Sequence, residues 1–317
     1  MELYKYRNKL PQIGDACLLT DGGLETTLIF HDGIDLPLFA SFHALKETEG
    51  RAALRRYYER YARIANAQGT GFILDSATWR ASRDWGDRLG YSAEELKHAN
   101  QEAIAMLFEL RAEFEGENPF VISGNMGPRG DGYAPETMMS SAESEDYHAV
   151  QVATLDAAGV DMISAITMTH AGEAMGIARA CAKRDVPLAL AFTVETDGHL
   201  PTGQSLKDAI AELDADCPPA YYMINCAHPD HFRHVLEEGA DWTRRIRGLR
   251  ANASRLSHAE LDEAEELDDG NPQELGRDYA NLLSVLPNLR VFGGCCGTDH
   301  RHVDAIGQTC LHRPLRA

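Results

Sequence analysis

The stretch TEGRAALRRYYERYARIANAQ, residues 48–68, followed at once by GTGFILDS, residues 69–76, carries the unit from which the fold is read. In its first part Leu54, Tyr57, Tyr58, Tyr61, Ile64 and Ala65 recur at helical spacing on one face. In its second, Gly71–Ser76 is a short, mostly apolar run, as expected of a parallel strand covered on both faces. Outward from this segment the unit repeats. Further strand candidates are Cys17–Thr20, Pro119–Ser123, Val160–Ala165, Pro187–Thr193, Ala220–Asn225, Ile246–Ala251 and Leu289–Phe292. Between and after them the spacing predicts helices over Ala93–Phe114, Glu143–Ala158, Gly172–Arg184, Leu206–Leu213, Asp230–Glu238, Pro272–Leu286 and His300–Ile306. Ser92, Ser144 and Asn271-Pro272 with Glu274 read as helix-start signals.

About eight strands alternating with about eight helices fit a (β/α)8 TIM barrel, a single α/β domain over residues 1–317. A doubly wound open sheet is the alternative. The barrel requires active groups at the C-terminal ends of the strands, and the segments found there are polar, glycine-rich and cysteine-bearing. They include Asp21-Gly22-Gly23-Leu24-Glu25, Asp75 to Trp79, Gly124-Asn125-Met126-Gly127-Pro128, Ile166-Thr167 to His170, Glu195, Cys226-Ala227-His228, Asn252-Ala253-Ser254 and Gly293-Gly294-Cys295-Cys296-Gly297-Thr298.

Composition narrows the function classes. The 317 residues are 44% apolar and 25% charged, an ordinary globular balance. A net charge of −19 repels phosphate backbones and anionic lipid, which argues against nucleic acid or membrane partners. No apolar run approaches the roughly 20 residues of a membrane span. The first residues lack the apolar core of a signal peptide, so the expected location is the cytoplasm. Seven cysteines in such a reducing compartment are expected as free thiols. Cys17, Cys181, Cys217 and Cys310 read as packing residues.

Cys226, Cys295 and Cys296 stand apart. Adjacent side chains on a strand point to opposite faces, but Gly293, Gly294 and Gly297 free the backbone so that both sulfurs of the pair can turn to one point. Cys226 ends the sixth strand, whose end converges with the eighth at the top of a barrel. Three thiolates fit tetrahedral zinc with an open fourth position, the arrangement of a catalytic site. A redox pair or plain packing is the other reading of the spacing.

These residues resemble the zinc-dependent homocysteine S-methyltransferases, which include the betaine and S-methylmethionine enzymes and the homocysteine module of methionine synthase. The markers are Asp21-Gly22-Gly23, Gly124 to Pro128, Asn225-Cys226, Asn252 and Gly293 to Thr298. The resemblance implies zinc (Zn2+) on the three cysteines and a small-molecule thiol acceptor, homocysteine. A free thiol, with a pKa near 8.5, is mostly protonated at neutral pH; coordination deprotonates it, and the thiolate then attacks a methyl carbon in line.

The resemblance further implies that Asp21, Gly22 and Gly23 receive the amino-acid part of homocysteine and that Thr167 matches a family threonine. Asn252 would orient substrate or brace the metal loop. In the family a glutamate before that threonine binds the ammonium of homocysteine; here Ile166 stands in its place. An apolar side chain cannot pair an ammonium, so either another acid substitutes, with Glu25 and Glu195 as candidates, or the acceptor lacks that group. The implied donors are onium ions of the S-methylmethionine, betaine or sulfonium type, which aromatic faces attract. Trp79 sits where related betaine enzymes place an aromatic, with Trp85 and Tyr91 following. The acidic run Glu260–Asp269 favours a cationic donor or is a solvated loop. His170, His228 and His231 are read as polar surface or helix-start residues.

Two other readings remain. One is a thiol methyltransferase fed by a separate corrinoid protein; a barrel of this length leaves no room for added cobalamin or folate modules. The other is a non-enzymatic zinc or thiol redox protein. A homo-oligomer is compatible with the sequence.

Overall fold

The computed structural model of the chain describes all residues except Met1, Ala134, Glu136, Thr137, Glu238, Glu265 and residues 312–317, together with the side chain of Asp262. Eight parallel strands close in chain order into a barrel, β1 (Leu18–Leu19), β2 (Gly71–Asp75), β3 (Phe120–Met126), β4 (Met162–Met168), β5 (Leu188–Phe192), β6 (Tyr221–Asn225), β7 (Ile246–Ala251) and β8 (Val291–Gly294), with β1 hydrogen-bonded to both β2 and β8. Every expected strand is present, and the open sheet is excluded by closure. Among the described residues no helix is long and apolar enough to cross a membrane.

The helix Thr48–Ala67 buries the expected face against the barrel, and its tyrosines do more than fill space. Tyr57 donates to Gly22 O at 2.9 Å and to Asp21 Oδ2 at 3.1 Å, and Tyr58 donates to Asp75 O at 2.8 Å. Apolar ring bodies in the core with satisfied hydroxyls thus tie a helix to the rim of β1 and β2. Beneath the barrel the N-terminal segment forms the floor, where buried Gln12 donates to Tyr221 Oη at 3.3 Å.

Most helix starts follow the sequence signals. Ser92 forms a reciprocal capping box with Glu95, and Asn271 accepts from the amides of Gln273 and Glu274. Ser144 does not cap. That role belongs to Ser140 with Glu143, one turn earlier. Ser144 is buried where the helices Ser141–Ala157 and Ala171–Ala182 cross; its hydroxyl donates to Glu173 O at 2.7 Å, and a Cβ on Gly176 would collide with it. A serine at a close helix crossing looks like a cap in sequence because both uses need a small polar side chain. The helix expected over Asp230–Glu238 is shorter, α-helical over Pro229–Phe232 and then a 3-10 turn over Arg233–Val235; its expected end at Glu238 lies outside the described residues. A further helix, His258–Asp262, overlaps the start of the acidic run Glu260–Asp269.

Candidate metal and substrate site

The three singled-out cysteines meet. Cys226 follows β6 and Cys295-Cys296 follow β8, and the three Sγ atoms all lie within 4.8 Å of one another. Cys226 and Cys295 are joined as a disulfide, with Cα atoms 5.4 Å apart. This departs from the expectation of seven free thiols. Two sulfurs held this close by β6 and β8 are positioned to bond when oxidised. Reduced, the same geometry offers three soft donors converging on one point, which fits a thiolate-ligated ion with an open position.

Backbone conformation brings the sulfurs round. Cys226 itself is left-handed, at φ 53°, and Gly297 turns the other strand end at φ 75°. Gly293 and Gly294 act differently from expectation: neither has positive φ, and each leaves room for a threonine, since a Cβ would strike Thr20 Oγ1 or Thr298 Oγ1. A left-handed non-glycine residue costs about 1–3 kcal/mol and persists only where its surroundings fix it. The carbonyl of Cys226 is fixed by three donors, His258 Nε2 at 2.7 Å, Asn252 Nδ2 at 3.0 Å and Thr193 Oγ1 at 3.4 Å. Thr167, next to the last residue of β4, is left-handed too, at φ 63°, where the β4–β5 register shifts. Its Oγ1 lies 3.8 Å from Cys226 Sγ.

Above the sulfurs opens a cavity of about 410 Å³. Of the expected site residues, Asp21, Gly22, Gly23, Glu25, Trp79, Thr167 and the three cysteines line it. Asn252 lies beneath, bracing Cys226. The glycines at 22 and 23 are required by packing as well: Cβ atoms there would meet Tyr61 Oη at 2.7 Å and Cys295 O at 2.8 Å, and the Gly23 amide is spent on Thr298 O at 3.0 Å. Trp79 is wedged against the chain after β3, where a Cβ on Gly127 would lie 2.5 Å from its indole nitrogen. Ile166 lines the cavity and packs with the barrel interior.

The sequence reading missed the charged floor. Arg250 of β7 is buried between Asp21 and Asp75; its Nη1 donates to Asp75 Oδ2 at 2.6 Å, its Nη2 pairs with Asp21 Oδ1, and its Nε donates to Gly294 O at 3.2 Å. Burial pushes the Asp21 carboxyl up, to about 6, with the guanidinium pulling the other way. The signal was available in part: the strand Ile246–Ala251 carries two arginines, Arg247 and Arg250, and Arg250 stands at its C-terminal, rim end. Glu25 is raised by burial in the cavity wall. Six lining carboxylates, on Asp21, Glu25, Asp75, Asp131, Glu266 and Asp268, face two guanidinium groups, on Arg80 and Arg250, so the cavity favours a cation. The acidic segment after β7 is therefore partly a cavity wall; Glu265 within it lies outside the described residues.

Other candidates fall elsewhere. Glu195 does not line the cavity and pairs with His258 Nδ1 at 3.2 Å. Trp85 and Tyr91 are buried away from it. His170 approaches Glu173, His228 caps the helix Pro229–Phe232, and His231 Nε2 meets Arg255 O at 2.9 Å.

A closed parallel barrel whose C-terminal rim gathers three cysteine sulfurs above a charged floor defines a class, the (β/α)8-barrel enzyme with a cysteine-lined site at its C-terminal rim. Residues 18–310 match the family model described as homocysteine S-methyltransferase, and the chain belongs to that family. It is a methyltransferase, and methyl transfer to homocysteine is the activity this membership carries. In fold it is similar to the homocysteine methyltransferase MmuM from Escherichia coli. The oxidised form of that protein aligns with TM-score 0.74 at 21% identity, over 93% of this chain and 96% of that one. The metallated form aligns with TM-score 0.72 at 20% identity, over the same shares. No curated protein shows significant sequence similarity to the chain.

Proposed function

We propose that reduced Cys226, Cys295 and Cys296 hold one zinc ion and that the enzyme moves a methyl group from a small onium cation to homocysteine, giving methionine. The observation that carries this reading is the convergence of three sulfurs within 4.8 Å on the wall of an acid-rich cavity, in a member of this family. Zinc bound there would deprotonate the incoming thiol and leave it nucleophilic.

The chain's own residues do the rest. Gly22 and Gly23 let the β1 loop approach the β8 loop, so that the acceptor lies between them. With Ile166 in place of an acid, and with Asp21 and Asp75 engaged by Arg250, Glu25 is the cavity carboxylate that takes the acceptor's ammonium; Glu195 is spent on His258. Thr167 and Asn252 hold the geometry of Cys226. Trp79 offers its ring to the donor's cationic centre, sharing it with the Arg80 guanidinium 5.0 Å from the ring centroid, whose charge Asp131 partly offsets. Alignment of sulfur, methyl carbon and leaving group is the remaining contribution, worth several kcal/mol. We place the reaction in a reducing compartment, the cytoplasm, because the centre needs its thiols reduced.

The test is metal analysis of the reduced protein, followed by a donor screen with homocysteine read by the mass of methionine. One zinc per chain, lost in Cys226→Ser, Cys295→Ser or Cys296→Ser together with turnover, is expected. Stoichiometric zinc without turnover on any onium donor, but with turnover from a methylated corrinoid protein, would replace the donor. Absence of both metal and product would leave the thiol redox reading, which the Cys226–Cys295 bond favours.

A further inference from the structure

We infer that Tyr133 is a positioning residue of the sulfur centre, and that the loops after β3, β5 and β7 roof that centre as one unit. This rests on the zinc reading above. Tyr133 comes from the loop after β3, yet its hydroxyl lies 3.2 Å from Cys296 Sγ, after β8. A thiolate has no proton to give, so with Cys296 ionised the phenol is the donor. The tyrosine ring stacks on His258, from the segment after β7, with centroids 4.0 Å apart and planes 23° from parallel. His258 in turn meets Cys226 O at 2.7 Å and Glu195 Oε1, after β5, at 3.2 Å.

The β3 loop is seated by its residues 131–133 as well. Asp131 pairs with Arg80 at 3.7 Å and accepts from the Tyr133 amide at 2.8 Å. Gly132 fits where a Cβ would lie 3.0 Å from Thr167 Cγ2 and 3.1 Å from Trp79 Cζ2. One connected set of contacts therefore reaches two of the three sulfur-bearing residues from above, Cys296 through its sulfur and Cys226 through its carbonyl. A donor hydrogen bond to a ligating sulfur stabilises its ionised, metal-binding form, and the stack fixes the direction from which it does so. Partners of this kind orient metal ligands and tune their donor strength.

Tyr133→Phe removes the hydroxyl and keeps the stack. Wild type and variant are reduced, loaded with cobalt(II), and compared by the thiolate-to-cobalt charge-transfer absorption and by chelator competition. The expected result is a shifted charge-transfer band and an affinity lower by about 10–100-fold, with the thermal midpoint of the metal-free protein unchanged. His258→Phe, which keeps a ring for the stack but frees the Cys226 carbonyl, is expected to weaken affinity as well. A wild-type band with the same position and affinity in Tyr133→Phe would overturn the role of Tyr133. A wild-type protein that gives no such band would instead overturn the metal reading on which it rests.

Discussion

Asn225 and Thr167 hold each other in both directions: the Thr167 amide donates to Asn225 Oδ1 at 2.8 Å, and Asn225 Nδ2 donates to Thr167 Oγ1 at 2.8 Å. The pair links the last residue of β6, just before Cys226, to the left-handed turn of β4, and Nδ2 also lies 3.8 Å from Cys295 Sγ. One amide thus stabilises a strained backbone next to the sulfur centre. Asn225→Ala leaves the buried Thr167 amide without its partner, at an expected cost of about 1–3 kcal/mol. Thr167→Gly in the same background should recover part of it, because glycine accepts positive φ freely. Urea unfolding of the two variants tests this; a single variant as stable as wild type would argue against the clamp.

Arg250 sits between two buried carboxylates, so removing it leaves like charges facing each other. Arg250→Met is expected to lose about 3–5 kcal/mol at neutral pH. The sign with pH follows from protonation. Burial already raises Asp21 to about 6, and without the guanidinium the folded variant binds protons more readily than its unfolded chain, so it regains stability as pH falls from 7 towards 5. Denaturation at several pH values reads this out, and a flat or opposite slope would count against it. Adding Asp21→Asn and Asp75→Asn should restore much of the loss.

If Glu25 receives the acceptor's ammonium, Glu25→Gln should raise KM for homocysteine about 10–100-fold, the range of a charge-assisted hydrogen bond, with a smaller change in kcat. The same variant should leave 4-mercaptobutyrate, which lacks the amine, unaffected. Equal effects on both thiols would place the ammonium elsewhere.

Asp299 caps the last helix, His300–Cys310. Burial alone would raise its carboxyl, but hydrogen bonds from His302, from the Arg301 side chain and from the Arg301 amide outweigh this and hold it well below the usual carboxylate range. A carboxyl depressed in the folded state contributes stability that is full above its unfolded pKa, about 3.9, and is lost as pH falls below it. Asp299→Asn keeps the cap and removes the charge. The stability gap between wild type and variant should be largest near pH 6 and should narrow below about pH 4; a gap independent of pH would contradict the assignment.

The sequence by itself determined the alternation of short apolar runs with amphipathic helices, and so all eight strands and the rim they point to. It also determined the three cysteines, because their chemistry and their place at strand ends are local. Hydrophobic periodicity is a property of neighbours in the chain, and it survives without coordinates. The tertiary structure alone decided what depends on folded partners: that Arg250 pairs with Asp21 and Asp75, that Ser144 packs against Gly176 instead of capping, that Gly293 and Gly294 make room for threonines, that Cys226 and Cys295 stand close enough to bond, and that Tyr133, five strands earlier in the chain, reaches Cys296. Most of these bring together groups far apart in the chain, through helix crossings or through barrel closure, and such long-range placement is a property that no window of sequence contains.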